Sequence, residues 1–202
     1  MNPLSLPDVS EFQPDVNWAD IVAHNGGAAI IRAMYGSGHV DAAWYGGARR
    51  ADAHKAGVEA LGIYQYLVAG EDALAQAEAF VRLVGKLEPG EFAALDLEEG
   101  SGSQLARAEE WFKYVDEHLT YPGYKGAWLY SGNAFFGSAG LMPIADSSRH
   151  TWVADYGARP TVPHTLWQNS SATSCPGIPK PCDSSIFEGD LAEFRAAIGA
   201  PA

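Results

Sequence analysis

Asp96 and Glu98 carry the clearest chemical potential in this sequence. They close the apolar run Ala93-Ala94-Leu95-Asp96-Leu97-Glu98-Glu99-Gly100. The run reads as a buried strand, on which residues i and i+2 point to one face with α-carbons about 6.6 Å apart. Asp96 and Glu98 then project together, while Leu95 and Leu97 pack on the opposite side. Two acids at the end of a buried strand cost desolvation and mutual repulsion. Such a pair suits acid–base chemistry on a neutral substrate. The plainer alternative is a strand running out into an acidic loop.

Positioning that pair requires a scaffold, and the pattern along the chain describes one. Residues 6–10, 28–34, 60–67, 92–98, 126–131, 151–155, 165–168 and 183–187 read as strands. Helical periodicity falls between the early ones, over residues 18–24, 42–56, 72–86 and 103–118, with Asn17 and Ser103 as candidate N-caps. Residues 190–198 form a closing helix. Alternating strands and helices predict parallel pairing with right-handed crossovers, and eight strands suggest a barrel. Eight complete strand–helix units need about 250 residues, whereas the chain has 202. The shortfall lies late: 157–164 is short and proline-broken, and 169–182 is rich in Ser, Pro and Gly. The expected fold is an irregular α/β barrel of about eight mostly parallel strands, the later ones lacking full helices. With 47% apolar residues and no interdomain linker, residues 1–202 read as a single domain.

Thirteen Lys and Arg against 25 Asp and Glu give a formal charge of −12. That balance excludes nucleic acid as an expected partner, because phosphate binding needs clustered bases. It argues equally against an anionic membrane surface. Residues 71–99 carry eight acids against Arg82 and Lys86, part of which is a solvated helix face. No run approaches a membrane span, and the start Met1-Asn2-Pro3-Leu4-Ser5-Leu6-Pro7 has neither the basic beginning nor the apolar centre of a secretory signal. A mature form, a cytosolic product and a protein exported by another route all fit. Cys175 and Cys182 flank Pro176-Gly177-Ile178-Pro179-Lys180-Pro181, which fits a disulfide closing a short loop or two free thiols. The six histidines are scattered, with His24, His54 and His118 on helix patterns as surface groups. No metal and no cofactor is expected.

In a parallel barrel the active site forms where strand C-terminal ends meet. The first strand brings Asp8 there, the last brings Asp183, and the two are neighbours once the barrel closes. The segments Asp8-Val9-Ser10 with Phe12-Gln13, Ile30-Ile31-Arg32-Ala33, Gly62-Ile63-Tyr64, Asp96-Leu97-Glu98, Tyr130-Ser131, Trp152-Val153-Ala154-Asp155-Tyr156, Leu166-Trp167-Gln168 and the stretch from Asp183 to Leu191 occur in order. As an ordered set they resemble the family-25 glycoside hydrolases, lysozymes that cut bacterial cell-wall glycan. The resemblance implies a barrel of five strand–helix units followed by three bare strands. It also implies Glu98 as general acid, with Asp96 orienting the sugar's N-acetyl group or supporting the positive centre. The expected activity is that of an N-acetylmuramidase cutting the β-1,4 bond between N-acetylmuramic acid and N-acetylglucosamine with retention. Its partner is peptidoglycan, its state a monomer, and its place the bacterial wall, reached by secretion or from a phage. Two positions depart from the family pattern: Gln65, where the family often has His, and Cys182 with Ser184-Ser185 around Asp183. Both bear on rim contacts and substrate preference.

Asp8 and Asp183 read as groups holding substrate and tuning charge, or as a structural hydrogen bond closing the barrel. Tyr64, Tyr66, Tyr130, Trp152, Tyr156 and Gln168 are the expected sugar contacts, since aromatic faces stack on pyranose rings. Trp128 reads as barrel filling. Arg32 reads as a barrel ion pair or a substrate contact. Two other readings stand beside the hydrolase: a silent glycan-binding module, and a metal-dependent hydrolase using Asp8, Asp96, Glu98 and Asp183. No Gly-x-Ser-x-Gly elbow or phosphate-cradling loop is present.

Overall fold

A computed structural model describes residues 3–201. Its strands are β1 (Leu4–Val9), β2 (Ala28–Tyr35), β3 (His39–Val40), β4 (Ala60–Tyr66), β5 (Glu91–Asp96), β6 (Trp128–Gly132), β7 (Thr151–Ala154), β8 (Leu166–Thr173) and β9 (Cys182–Phe187). The sheet runs β1-β9-β8-β7-β6-β5-β4-β2, and a β1–β2 pairing closes it, with β3 folded back on β2 as a hairpin. Helices α1 (Trp18–Asn25), α2 (Ala48–Ala56), α3 (Ala73–Val84), α4 (Leu105–His118) and the short pair α5 (Asn133–Ser138) and α6 (Met142–Ala145) fill the first five crossovers. The strands β7, β8 and β9 follow without helices between them, and α7 (Leu191–Ala197) ends the chain. Five units followed by three bare strands are the architecture that the resemblance implied, and they agree with the shortfall in length. Among the described residues, no helix is long and apolar enough to cross a membrane.

Alternation along the strands builds two cores. Odd-numbered residues such as Ile31, Leu61, Ile63, Leu95 and Leu129 pack outward beneath the helices. Even-numbered ones such as Leu6, Ile30, Phe92, Trp128 and Leu166 fill the barrel. Phe194 of α7 plugs its lower end, with ring centroids 5.9 Å from Phe92 and 5.8 Å from Trp128. Each such ring contributes roughly 1.5–3 kcal/mol by leaving water. Bulk at Phe92 demands its absence next door: a Cβ on Gly62 would meet Phe92 Cζ at 2.7 Å. Asp190 and Glu193 start the plug with a reciprocal capping box.

Several local readings need correction. The strand β9 runs antiparallel to both β8 and β1. Residues 169–173, Ser-rich and read as loop, continue β8 because that antiparallel partner takes up their backbone groups. The helix expected over 42–56 is broken: Ala42–Gly47 is a 3-10 turn, with Tyr45 and Gly46 at φ of 49° and 64° before α2 begins. Asn17 occupies the N-cap of α1, but its side chain donates to Asp20 Oδ2 and caps no backbone group; at α4 the cap position belongs to Gln104. His24 and His118 are exposed, whereas His54 is half-buried and bonds Glu91 at 2.7 Å.

Candidate active site

The β-strand C-termini open into one cleft of about 290 Å³. Asp8, Asp96, Glu98 and Asp183 all line it. Asp8 and Asp183 are direct partners in the β1–β9 ladder. Asp96 ends β5, and Glu98 follows one residue beyond Leu97, whose amide still donates to Tyr130 O at 3.1 Å. The i, i+2 geometry therefore persists just past the strand, and the Asp96 and Glu98 carboxyls are near enough for each to perturb the other's proton affinity.

Gln168 ties the other acids together. Its Nε2 donates to Asp8 Oδ2 at 2.9 Å and to Asp183 Oδ2 at 3.4 Å. Its Oε1 accepts from the hydroxyls of Tyr130 and Tyr156, both at 2.8 Å. Four strands thus converge through one amide. The buried Trp152 forms the floor, with its Nε1 donating to Ser185 Oγ at 2.8 Å and its ring against Tyr64 and Tyr130. Tyr64 and Tyr66 line the β4 side. Tyr156, 55% exposed, stands at the β7 end.

Burial, and then the crowding of acids, sets the electrostatics. Burial, then the Asp183 charge, raises the Asp8 carboxyl well above its usual range. Burial, then Glu98, does the same for Asp96. Glu98 keeps contact with solvent, yet partial desolvation by the cleft walls raises it too. Asp183 is pushed up to about 6 by burial and the Glu98 charge. Tyr156 rises to about 12, chiefly by desolvation, with the nearby carboxylates adding to it. The group holds protons to higher pH than separate acids would.

Among the described residues lining the cleft, Arg32 is the single base. Its Nε donates to Asp41 Oδ2 at 2.8 Å and its Nη2 to Glu11 Oε1 at 2.9 Å, while the side chain borders the cleft. Gln65, by contrast, turns away: its Nε2 donates to the carbonyls of Gly36 and Gln76, and its Oε1 accepts from Trp111 Nε1 at 2.7 Å. That departure from the family pattern is outward packing and touches no rim. Ser185 likewise serves Trp152, and Ser184 bonds Ser5 Oγ. Cys175 and Cys182 face each other with sulfurs 2.7 Å apart. Among the described residues, no group of three or more His, Cys, Asp and Glu side chains is arranged to hold a metal.

Ser10, Phe12, Gln13 and Tyr35 line the cleft but were absent from the expected contacts. Phe12 was visible only as part of a motif. Tyr35 had no usable signal, because a break in the β2–β4 register turns it toward the cleft: Arg32 pairs Tyr64, Met34 pairs Gln65 and Tyr35 pairs Tyr66.

Comparison with known proteins agrees with this fold. Over 207 aligned residues the chain is 27% identical to YegX, an uncharacterized protein of Escherichia coli (strain K12), spanning 95% of this chain and 72% of that one. The bacterial lysozyme of Streptomyces coelicolor superposes with a TM-score of 0.83 at 23% identity, over 98% of each chain. A muramidase from Acremonium alcalophilum gives 0.80 at 21% identity, over 97% of this chain and 99% of that one. The catalytic domain of endolysin ply40, from bacteriophage P40 of Listeria monocytogenes, gives 0.78 at 24% identity, over 96% and 98%. These likenesses show a shared barrel. Residues 7–178, most of the chain, match the glycosyl hydrolases family 25, and the chain belongs to that family.

Proposed function

We propose that this glycoside hydrolase is an N-acetylmuramidase. It cuts the β-1,4 bond between N-acetylmuramic acid and N-acetylglucosamine in bacterial peptidoglycan, acting as a single barrel of residues 1–202 at the bacterial wall. The observation that carries the reading is the adjacent Asp96–Glu98 pair, with raised proton affinity, in a cleft shared by Asp8 and Asp183.

Glycosidic cleavage needs a proton on the leaving oxygen and support for an oxocarbenium-like centre. Glu98, the more exposed of the pair, delivers that proton. Asp96 Oδ1 is buried without a hydrogen-bond partner. That free acceptor suits the N–H of a sugar N-acetyl group, held so that its carbonyl oxygen closes on C1. Water then opens the cyclic intermediate as Glu98 takes back a proton, giving net retention. Asp8 and Asp183 hold substrate and tune the charge through Gln168. Tyr64, Tyr66, Tyr130, Trp152 and Tyr156 shape the sugar platform.

The test compares wild type with Glu98→Gln on purified peptidoglycan and identifies the new reducing-end sugar. Muramic acid ends from wild type and near-total loss in the variant are expected. Glucosamine ends would shift the bond cut, and no new ends from folded wild type that still retains glycan would leave a binding module. Chelators are expected to leave turnover unchanged; their inhibition would favour the metal-dependent alternative. The anomeric form of the first-released product checks retention.

A further inference from the structure

Phe12 is 65% exposed, more than any other large apolar side chain among the described residues. Its backbone is nevertheless anchored. Its ring lies against the Arg32 guanidinium, 5.4 Å from the ring centroid, and Arg32 is fixed by Asp41 and Glu11. The backbone on either side is tied down: Gln13 N donates to Ser10 O at 3.0 Å, Glu11 N to Asp41 Oδ2 at 3.0 Å, and Arg49 Nη1 to Ser10 O at 3.0 Å. An apolar ring presented to water on an anchored backbone, at the edge of a polar cleft, is a preorganised contact surface.

Tyr35 complements it. An unbroken β2 would turn this odd-numbered residue toward the helices, with Ile31 and Ala33. The bulge between Arg32 and Met34 reverses the alternation and brings Tyr35 into the cleft instead. Bulges beside active sites commonly re-aim a side chain in this way. The ring is stacked on Tyr66 at 4.4 Å with an interplanar angle of 8°, and His39 meets its edge at 6.5 Å. Behind it, Gly36 N donates to Tyr66 O and Ser37 N to Glu71 Oε2, so the strand end is anchored.

Topology places this cluster relative to the chemistry. Around the closed barrel, β2 and β7 lie four strands apart in either direction, which is diametrically opposite. Tyr35 ends β2, and Tyr156 follows β7. The carboxylates of β1, β5 and β9 lie between them. We propose that Phe12 and Tyr35, with Tyr66 behind, form a second sugar subsite on the β2 side, holding a pyranose of the same glycan chain on the far side of the acids from Tyr156. The proposal rests on the cleft being a glycan site, and it makes recognition depend on chain length. Pyranose rings present an apolar face to Phe12 and Tyr35. The Tyr35 hydroxyl and the Arg32 guanidinium are at hand for their hydroxyl groups.

The test measures the binding of a β-1,4-linked N-acetylglucosamine tetrasaccharide to the Glu98→Gln protein by calorimetry. Adding Phe12→Ala or Tyr35→Ala is expected to weaken affinity about tenfold each, equivalent to ~1.4 kcal/mol. Phe12→Trp and Tyr35→Phe keep affinity within about twofold, the size of change an intact stacking face allows. Tyr45→Ala removes a ring that is 60% exposed but outside the cleft, and leaves affinity unchanged. Thermal melting confirms that each variant is folded. Unchanged affinity in both alanine variants, while wild type still cuts peptidoglycan, overturns the subsite alone. Failure of the parent to bind any glycan, with no new ends from wild type, overturns the glycan reading and the subsite together.

Discussion

Replacing Asp183 by Asn is expected to make the protein more stable at neutral pH while impairing turnover. In the fold, burial and the Glu98 charge push Asp183 up to about 6 from an ordinary 3.8. An acid whose folded value exceeds its unfolded one binds more protons when folded, so stability falls as pH rises between the two. The penalty is absent below about 3.8 and complete above about 6. A rise of this size corresponds to at most ~3 kcal/mol. Asp183 is only partly buried, and solvent screening reduces that to about 1–2 kcal/mol. Asn retains an oxygen for the 3.4 Å contact from Gln168 Nε2, so little offsetting loss arises. In a chain of this length the gain is a melting-temperature rise of about 3–6 °C. Melting both proteins at intervals from about pH 4 to 7.5 should show the variant's advantage growing through the window and levelling off near 6. A variant no more stable than wild type at pH 7, or an advantage independent of pH, refutes the assignment of a stored electrostatic cost to this cleft.

At the opposite end of the barrel, Glu91 is fully buried and accepts from Arg50 and His54. Glu91→Gln leaves two donors without their countercharge and should cost about 3–5 kcal/mol in denaturant unfolding; a midpoint like wild type's refutes it. Hydrogen bonding to Glu91 raises His54 above 6.5. Its contribution is therefore complete below 6.5 and lost as pH rises through the raised value, a slope that His54→Ala should abolish. Mild oxidation should remove both titratable thiols by joining Cys175 to Cys182 within one chain, with a stabilisation of about 2 kcal/mol for so short a loop; persistent thiols in the oxidised protein would refute it. The formal charge of −12 opposes an anionic wall. Activity on intact cells should rise with moderate salt as repulsion is screened, and a flat profile would sink that expectation.

Strand parity explains both what the sequence disclosed and what it concealed. Asp96 and Glu98 share a face because nothing interrupts the chain between them, and Leu95 and Leu97 pack behind them as alternation requires. Asp8 and Asp183 meet because closure makes the first and last strands neighbours whichever way the last one runs. Its direction was not legible, since a strand's side chains record which face is buried and not the polarity of the partner. The extension of β8 through polar Ser170 and Thr173 was hidden for the same reason: an antiparallel neighbour, not hydrophobicity, holds it. Gln65 misled in the opposite sense. Its family context suggested the rim, yet parity alone places it on the helix side, between the inward Tyr64 and Tyr66, where Trp111 and Gln76 satisfy its amide. Tyr35 lies beyond the reach of that rule, because the single residue skipped at the bulge inverts every assignment from Met34 on. A face read from spacing therefore holds only along an unbroken ladder. In this barrel the break falls at the cleft mouth, where turning one aromatic inward changes what the cleft can hold.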